Sequence, residues 1–240
     1  MKRSSSEEGA APPLEDVINW DVINWGRGFS YLLDSITVPL TNIRVLELGA
    51  HKGGISLHFA MQGAHVLCSE FPLAYGFEHL QEQALHKRYR VQDRIWRAGL
   101  DATSLGIRTE SIDLVVFKSV LGGIARDGRE DLQEQVVSEV RRVLRPGGSL
   151  LVLEGLKATP VHRVLRETFI RWGRSWHYPT MKEAVELFGC FSSFSYKTFG
   201  FLGTLGRTEP QRRMLGRLDS VIDPLLPSSV RYILAGIARK

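Results

Sequence analysis

Two carboxylates and a group of glycines lie in the first third of the chain, in an order that suits the binding of a nucleotide. Residues 44–54 read Arg-Val-Leu-Glu-Leu-Gly-Ala-His-Lys-Gly-Gly, so Glu47 lies in an apolar run that glycines follow. Glu70 ends the next apolar run. Glycines let a backbone approach a ligand closely, and a carboxylate can accept hydrogen bonds from both hydroxyls of a ribose. These residues therefore predict a nucleotide-shaped crevice.

The elements that must position these residues follow from the periodicity of apolar side chains. Short apolar runs alternate with helical patterns, which favours an α/β fold with a parallel sheet built from right-handed βαβ units. The predicted strands are 43–48, 65–69, 94–98, 111–117, 149–154, 191–199 and 230–238. The predicted helices are 54–61, 72–87, 131–144, 161–172, 181–188 and 209–221, after an N-terminal segment with mostly helical spacing at 14–36.

Length and composition predict a single folded domain. The chain has 240 residues, of which 43% are hydrophobic and 24% charged, as is ordinary for a globular protein. No apolar run approaches the roughly 18 residues that span a bilayer, so we expect no membrane partner. Residues 1–13 lack the apolar segment of a secretory signal and are predicted to be a disordered leader before one domain at 14–240.

The cysteines and the net charge give weaker indications of the protein's location and partners. Cys68 and Cys190 do not suggest a disulfide framework, which favours a cytoplasmic location. The net charge of +5 comes from scattered cations rather than a basic tract. That distribution is typical of a mildly basic enzyme and makes nucleic acid an unlikely partner. Four arginines lie in or near the predicted helix 209–221. We expect them to form a solvated helix face rather than an anion-binding site: Arg207, Arg212, Arg213 and Arg217.

Three further features complete an ordered set. Asp101 follows the third strand, residues 112–116 read Ile-Asp-Leu-Val-Val, and residues 141–148 read Arg-Arg-Val-Leu-Arg-Pro-Gly-Gly before the fifth strand. Over residues 43–154 this set resembles the class I S-adenosylmethionine-dependent methyltransferases of the small-molecule type. The resemblance implies a Rossmann-like, seven-stranded, mostly parallel sheet with helices on both faces and an antiparallel last strand. It also implies S-adenosyl-L-methionine as the cofactor and a small-molecule methyl acceptor.

The resemblance assigns the adenosine end of the cofactor to residues that follow the second and third strands. Glu70 would accept from the ribose hydroxyls, and Phe71 would pack on the adenine. Asp101 would accept from the exocyclic amine, with Ala102 alongside. From the residues alone, Asp101 could equally cap a turn.

The methionine end falls to the turn after the first strand and to the end of the fourth. Glu47 would orient the turn or receive the ammonium through water, and Gly49 and Gly53 would permit close backbone approach. Lys118 and Ser119 would line the methionine end and the acceptor. From its place after a buried strand, Lys118 could also simply reach solvent.

His51 departs from the family pattern, in which a glycine occupies the middle position of this turn. A positive φ is less favourable for histidine than for glycine, and its side chain must point away from the cofactor or touch the methionine tail. The same residue argues against a nicotinamide-dependent oxidoreductase. That class requires G-x-G-x-x-G, whereas the register from Gly49 reads Gly-Ala-His-Lys-Gly-Gly.

The acceptor side is expected to involve the N-terminal segment and the residues that follow the fifth strand. In this family an N-terminal segment closes over the cofactor, so residues 14–36 are predicted to form a helical lid with a glycine break at 24–27. Trp25 would reach the cofactor from that lid, although such an aromatic more often anchors a core. Insertions are predicted at about 156–188 and 203–228. The first contains an aromatic cluster that we expect to face the acceptor: Trp172, Trp176, His177 and Tyr178.

His177 is the candidate general base if the acceptor is a hydroxyl, because the pKa of a histidine lies close to working pH. His162 and His58 are weaker candidates. No metal-ligand pattern is present in the sequence, which predicts in-line methyl transfer to an O, N or C nucleophile without a metal. Two alternatives stay open: a nucleic-acid methyltransferase, and a catalytically silent methyltransferase fold that only binds.

Overall fold

The computed structural model describes residues 11–71, 77–169 and 174–240. The predicted leader at 1–13 lies outside the described residues up to residue 10, and Ala11–Pro13 carry no regular secondary structure. Pro72, predicted to open a helix, and Trp172 also lie outside the described residues.

In the described part of the chain, seven strands form one sheet. They are β1 (Arg44–Leu48), β2 (His65–Glu70), β3 (Ile95–Gly99), β4 (Ile112–Lys118), β5 (Leu144–Gly155), β6 (Ser193–Phe199) and β7 (Ile233–Arg239). Their order is β3-β2-β1-β4-β5-β7-β6. Strands β1 to β5 pair in parallel, whereas β7 runs antiparallel to β5 and β6. The predicted sheet, including its antiparallel last strand, is confirmed.

The described helices are α1 (Leu14–Ile18), α2 (Val22–Asp34), α3 (Gly54–Met61), α4 (Phe77–Arg88), α5 (Leu121–Ile124), α6 (Asp131–Val143), α7 (Pro160–Phe169), α8 (Met181–Leu187) and α9 (Glu209–Ile222). Short 3₁₀ turns occur at Gly203–Leu205 and Asp223–Leu225, among other places. Two helices begin at capping residues that can be recognised in the sequence. Thr180 with Glu183, and Thr208 with Gln211, form capping boxes that satisfy the first backbone N–H groups of α8 and α9.

Helices cover both faces of the sheet, which explains why its central strands are apolar at nearly every position. Alternate residues of β4 and β5 enter two different cores. Val116 and Leu153 pack in the core that contains residues of α1, α2 and α3, whereas Phe117 and Val152 pack in the core that contains residues of α6 and α8.

The N-terminal segment differs from its predicted form. A glycine break was expected at 24–27, but Gly26 lies inside α2, and the break occurs between α1 and α2. There Asn19 and Asp21 adopt φ values of +72° and +45°. Asparagine and aspartate tolerate this left-handed conformation better than most residues, so the turn needs no glycine.

Strand β5 also begins earlier than predicted, at Leu144 rather than residue 149. Ile112 of β4 pairs with Leu144, but Leu114 pairs with Ser149, so the Arg-Pro-Gly-Gly segment is accommodated as an irregularity within the strand. Helix α5 was not predicted, because four residues are too few to show a helical period.

The strand order fixes where a ligand can bind. Strand β1 lies between β2 and β4, so the connections that leave β1 and β4 run toward opposite edges of the sheet. Parallel sheets have a crevice at the carboxyl ends of the strands where the order reverses in this way. The ends of β1, β2 and β4 are therefore the place to look for a functional site.

Candidate functional site

The turn after β1 is built from three residues in the left-handed region. Gly49, His51 and Gly53 have φ values of +62°, +50° and +65°. At Gly49 a Cβ would come within 2.6 Å of Cγ2 of Val120, the second residue beyond β4. Glycine is therefore required at position 49 by conformation and by space. His51 takes the unfavourable conformation that its sequence position predicts, with its backbone N–H turned toward Glu70.

Glu70 joins the end of β2 to this turn. Its Oε2 accepts from the backbone N–H of His51 at 2.8 Å, and its Oε1 accepts from that of Phe71 at 3.0 Å. The side chain is half-buried at the edge of the crevice. Because each carboxylate oxygen has two lone pairs, both oxygens can still accept from a ligand hydroxyl.

Glu47 is buried beneath the turn rather than exposed in the crevice. Its Oε2 accepts from the backbone N–H of Ser56 at 2.7 Å and also from the Ser56 hydroxyl. Burial raises the pKa of Glu47 to about 8, although both hydrogen bonds from Ser56 oppose that rise. The contact ties β1 to the first turn of α3.

Two residues of α4 support the turn from behind, and sequence reasoning missed both. His86 Nε2 lies 2.9 Å from the carbonyl oxygen of Gly53. A Cβ on Gly53 would come within 2.7 Å of His86 Nε2 and of Glu82 Cγ. Glu82 and His86 are both buried, and Glu82 forms an ion pair with Arg97 of β3. The sequence shows only their i, i+4 spacing on a polar helix, which does not indicate that they are buried.

The residues predicted to hold an adenine lie at the ends of β2 and β3. Phe71 has half of its side-chain surface exposed, at 51%. Asp101 Oδ1 accepts from the backbone N–H and the hydroxyl of Thr103, at 2.9 and 2.7 Å, so Asp101 caps a turn. Ala102 is half-buried beside it. Because β2 and β3 are neighbours in the sheet, Phe71 and Asp101 occupy adjacent strand ends.

Lys118 ends β4, and two indole rings surround its ammonium. Its Nζ lies 4.8 Å from the ring centre of Trp25 and 5.3 Å from that of Trp20. Within the described chain no carboxylate lies within ion-pair distance of this ammonium. Burial lowers the pKa of Lys118 to about 8, while the more distant charges of Glu154, Asp21 and Glu47 favour the protonated form. Ser119, next in the chain, has φ +56° and donates its backbone N–H to Leu153 O at 2.8 Å.

Trp25 combines deep burial with an unused donor. Its side chain is 2% exposed, and its indole Nε1 has no hydrogen-bond partner in the described structure. A buried N–H without a partner costs about 1–3 kcal/mol. Among the described residues, neither the enclosed indole N–H of Trp25 nor the ammonium of Lys118 has an acceptor.

Glu154 lies near the end of β5, in the strand next to Lys118, and was not predicted as a site residue. Its carboxylate accepts from the backbone N–H groups of Val120, Leu121 and Gly155, at 3.0, 3.0 and 3.2 Å. Burial raises its pKa to about 7, despite those hydrogen bonds. An acid at the carboxyl end of an otherwise apolar strand was the signal in the sequence.

The N-terminal helices close over this edge of the sheet. The backbone oxygens of Asp16 and Val17 occupy the space where a Cβ on Gly54 would lie, so α1 rests directly on the start of α3. In α2, Asn24 Nδ2 donates to Asp219 Oδ2 at 2.8 Å. The hydroxyl of Tyr232 donates to Asp21. We call these four residues the buried polar network: Asp21, Asn24, Asp219 and Tyr232.

The buried polar network contains carboxylates that are cut off from water. Asp219 also accepts from the backbone N–H groups of Leu202 and Gly203, at 2.7 and 2.8 Å. Asp21 is 1% exposed, and burial raises its pKa to about 7 against the effect of the hydrogen bond from Tyr232. Sequence reasoning missed this network because its members are far apart in the chain.

The described residues of the predicted aromatic cluster pack against α5 and the end of β5. The ring of Trp176 lies against Gly122 and Gly123 of α5. The ring of Tyr178 packs on Gly155, with the Arg166 guanidinium 4.0 Å from the ring centre. Trp172, the fourth residue of the cluster, lies outside the described residues.

His177 Nδ1 lies 3.2 Å from Glu130 Oε1 at the start of α6. Its role as a general base stays a prediction. The two weaker candidates make core contacts. His162 is buried and bonds to Thr159 Oγ1 and Phe201 O, at 2.6 and 2.9 Å. His58 packs edge-on against Phe29 and Phe59.

The central part of the chain resembles a known protein family. Residues 46–152 match the model of the family described as "Methyltransferase domain". A curated relative, demethylmenaquinone methyltransferase of Clavibacter sepedonicus, is 31% identical over 128 residues, which are 53% of this chain and 47% of the relative. The segment of residues 46–152 is therefore similar to a methyltransferase domain, and the sheet has the fold of the class I S-adenosylmethionine-dependent methyltransferases. S-adenosyl-L-methionine is the cofactor of that class.

Solved structures share the fold at low sequence identity. Phosphoethanolamine N-methyltransferase 2 of Haemonchus contortus, solved with phosphomonomethylethanolamine and S-adenosylhomocysteine, has a TM-score of 0.60 at 16% identity, covering 90% of this chain and 52% of its own. Geranyl diphosphate C-methyltransferase of Streptomyces coelicolor A3(2) has a TM-score of 0.62 at 11% identity, covering 90% and 79%. The chain spans about half the length of the Clavibacter relative and of the Haemonchus structure.

In the described part of the chain, no helix has both the length and the apolar character needed to cross a bilayer.

Proposed function

We propose that this chain binds S-adenosyl-L-methionine at the carboxyl ends of β1, β2 and β4 and transfers its methyl group to a small-molecule O, N or C nucleophile. The observation that carries the proposal is the position of Glu70. Its carboxylate ends β2 at the switch in strand order, beside a turn with three left-handed residues. A ribose needs a two-oxygen acceptor at such a place.

The residues at this edge fit both ends of the cofactor. Glu70 would accept from the ribose hydroxyls, while Phe71 and Asp101, with Ala102, would hold the adenine from the neighbouring strand ends. Gly49, His51 and Gly53 would bring backbone groups against the methionine portion, with Glu47 fixing the turn from below. These assignments combine the family resemblance with the contacts described above.

The methionine carboxylate would lie against Lys118 and Trp25, with Ser119 alongside. The ammonium of Lys118 and the indole N–H of Trp25 both lack an acceptor in the described structure. A carboxylate would satisfy the ammonium, and a charge-assisted hydrogen bond is about twice as strong as a neutral one. The indole N–H of Trp25 is enclosed by protein, so the ring would border the methionine end without donating to it.

When bound, S-adenosylmethionine supplies an electrophilic methyl group on a sulfonium. The protein's part is to align a nucleophile with that methyl and to exclude water, and alignment supplies most of the acceleration in reactions of this kind. We propose residues 14–36 as the lid and the predicted insertions at about 156–188 and 203–228 as the acceptor side. For a hydroxyl acceptor, His177 would take the proton, with Glu130 orienting its imidazole.

Calorimetric titration with S-adenosylhomocysteine tests the cofactor assignment. We expect the wild-type chain to bind and the Glu70→Ala variant to bind at least about 100-fold more weakly, because two hydrogen bonds to a charged group are lost, each worth about 1.5–3 kcal/mol.

Asp93→Ala, which removes an exposed acid at the opposite end of the sheet, is the matched control and should bind as the wild type does. Unchanged affinity in Glu70→Ala would overturn the ribose assignment. Failure of the folded wild-type chain to bind at all would favour the catalytically silent alternative.

A further inference from the structure

Helix α9 has its polar side turned inward. Its buried residues are Gly216 and Asp219, and Asp223, which follows the helix, is buried as well. Met214, Leu218, Val221 and Leu225 are instead between 50% and 82% exposed. Met214, Leu218 and Val221 have the spacing i, i+4 and i+7, which places them on one stripe of α9, and Leu225 lies in the 3₁₀ turn Asp223–Leu225 that follows the helix. A helix that packs on an apolar core normally has the opposite arrangement.

Helix α7 also buries polar side chains and exposes apolar ones. It buries His162 and Arg166, whereas Val161, Val164 and Phe169 are each more than half exposed. Both helices contact the 3₁₀ turn Gly203–Leu205, in which Leu205 is exposed. We call the exposed apolar side chains of these three elements and of the 3₁₀ turn Asp223–Leu225 the outer apolar face: Val161, Val164, Phe169, Leu205, Met214, Leu218, Val221 and Leu225.

The charges around α9 are divided between the two sides of the helix. Its acids serve the interior: Glu209 accepts from the backbone N–H groups of Asp21 and Val22, at 2.8 and 3.0 Å, and Asp219 belongs to the buried polar network. The Asp223 carboxylate likewise accepts from Arg27. The acids of this segment are therefore engaged by the interior rather than available to a partner.

Arginines border the outer apolar face. Arg217 is exposed within one turn of Met214, Leu218 and Val221. The guanidinium of Arg207 lies 3.9 Å from the ring centre of Phe169 and is also exposed. Arg213 reaches Glu15 of α1 at 2.6 Å. Exposed apolar side chains bordered by arginines are the pattern of a helix that lies at a membrane surface.

We propose that the outer apolar face docks onto the surface of an anionic phospholipid bilayer. The apolar stripe would enter the boundary between headgroups and acyl chains, and Arg207 and Arg217 would meet lipid phosphates. A second copy of this chain is a poorer occupant, because it would bring the same arginines to the contact, while the acids of its α9 segment would face its own interior. The expectation of no membrane partner rested on the lack of a spanning segment, which surface docking does not require.

Docking in this orientation would bring the lid side of the domain to the bilayer. Helix α9 packs against α2, which carries Trp25. Helix α7 carries Arg166, which packs on Tyr178 beside the end of β5. The proposal does not depend on methyl transfer, because it rests only on the exposed side chains of α7, α9 and the turn between them.

Vesicle flotation of the full chain tests the proposal. The probes are extruded vesicles of phosphatidylcholine alone and of phosphatidylcholine with phosphatidylglycerol, each at low and high salt. We expect flotation with the anionic vesicles at low salt, and weaker flotation with neutral vesicles or at high salt. Leu218→Gln combined with Val221→Gln should weaken binding at least tenfold, and Arg217→Gln about fivefold, which corresponds to about 1 kcal/mol for one arginine at an anionic surface.

Leu80→Gln is the matched control, because Leu80 is an equally exposed leucine on α4 and should leave flotation unchanged. If the double variant melts at a lower temperature than the wild type, Arg217→Gln decides the test. The proposal is overturned if the wild type does not float with anionic vesicles at low salt, or if the variants on α9 float as it does. It is also overturned if gel filtration shows a dimer that the double variant splits, because the face is then a contact between copies.

Discussion

The turn after β1 and the N-terminal helices lie at the same edge of the sheet, but they are held in different ways. In the turn, the bonds that fix Glu47 and Glu70 join residues 9 and 19 positions apart. In the N-terminal helices, Asn24 bonds to Asp219 and Asp21 to Tyr232 across 195 and 211 positions. One half of the site is thus local in sequence, and the other exists only once the chain has folded.

The two halves also differ in their electrostatics. Glu70 is half-buried and bonded to backbone N–H groups, so its charge remains close to water and available to a ligand. Asp21 and Asp219 are almost fully buried and bonded mainly within the protein. We infer that the turn is organised for binding and that the buried polar network is organised for holding the lid. Four substitutions test this division.

Asp219→Ala should have the largest effect, and on stability rather than on binding. The carboxylate accepts from Asn24, Leu202 and Gly203, and its removal leaves three buried donors without a partner. We expect a loss of about 3–5 kcal/mol in the free energy of unfolding, at about 1–3 kcal/mol for each unsatisfied group with partial relaxation. Urea denaturation measures it.

Glu70→Ala should have the opposite effect. It should leave the urea midpoint nearly unchanged while it weakens S-adenosylhomocysteine binding. Folded Asp219→Ala should still bind within about threefold of the wild type if its effect is confined to stability, as expected for sites that share no partner. If Asp219→Ala keeps its stability, or if Glu70→Ala loses several kcal/mol, the division between the two halves is wrong.

Stability should next depend on pH through Asp21. Burial raises the pKa of Asp21 to about 7 from an ordinary value near 4. A folded-state pKa above the unfolded one means that protonation favours the folded state. The resulting stabilisation is complete below about pH 4 and is lost as the pH rises through 7. The contribution falls by about 1.4 kcal/mol per pH unit within that window.

The side chain introduced by Asp21→Asn does not titrate between pH 4 and 7. This variant therefore separates the contribution of Asp21 from those of Glu47, Glu154 and Lys118. The stability of the variant relative to the wild type should increase from pH 5 to pH 7 and then level off, as measured by thermal melting at each pH. Asp93→Asn, at an exposed position, should show no such trend. A constant difference between Asp21→Asn and the wild type would show that Asp21 is charged throughout.

Lys118→Met should have the smallest effect, and only on one end of the ligand. Loss of the ammonium removes a charge-assisted bond to the methionine carboxylate, so S-adenosylhomocysteine should bind about tenfold more weakly. Methylthioadenosine has no carboxylate and should bind as before. Glu70→Ala, by contrast, should weaken both ligands. Lys157→Met, at an exposed lysine beyond β5, is the control. Equal affinity of wild type and Lys118→Met for S-adenosylhomocysteine would remove Lys118 from the methionine end.

The sequence allowed the sheet to be predicted almost completely, because strands and helices leave local patterns. Strand β2 and helix α3 begin at their predicted residues, and the antiparallel β7 follows from the family resemblance. The break at Asn19 and Asp21 could not be predicted from apolar spacing, because these residues form the turn through their tolerance of positive φ rather than through glycine.

The positions of candidate residues could be predicted from the sequence where they follow strands, and residues held by distant contacts were missed. Glu70 and Asp101 occupy neighbouring strand ends, as their positions after predicted strands implied. Asp219 lies in a helix of ordinary polar composition, and nothing in its neighbourhood along the chain marks it as buried. Its burial follows from Asn24 and two backbone N–H groups that come from other parts of the sequence.

The hydrogen bond between Asp21 and Tyr232 has a consequence for the order in which the chain folds. Tyr232 stands immediately before β7, which completes the sheet between β5 and β6. Contacts between residues so far apart return free energy only after the entropy of a very long loop has been lost. Helices α1 and α2, although synthesised first, are therefore expected to dock last, on a sheet that is already assembled. During synthesis their apolar sides would stay exposed to solvent until the helices dock, and the burial of Trp25 would report that docking.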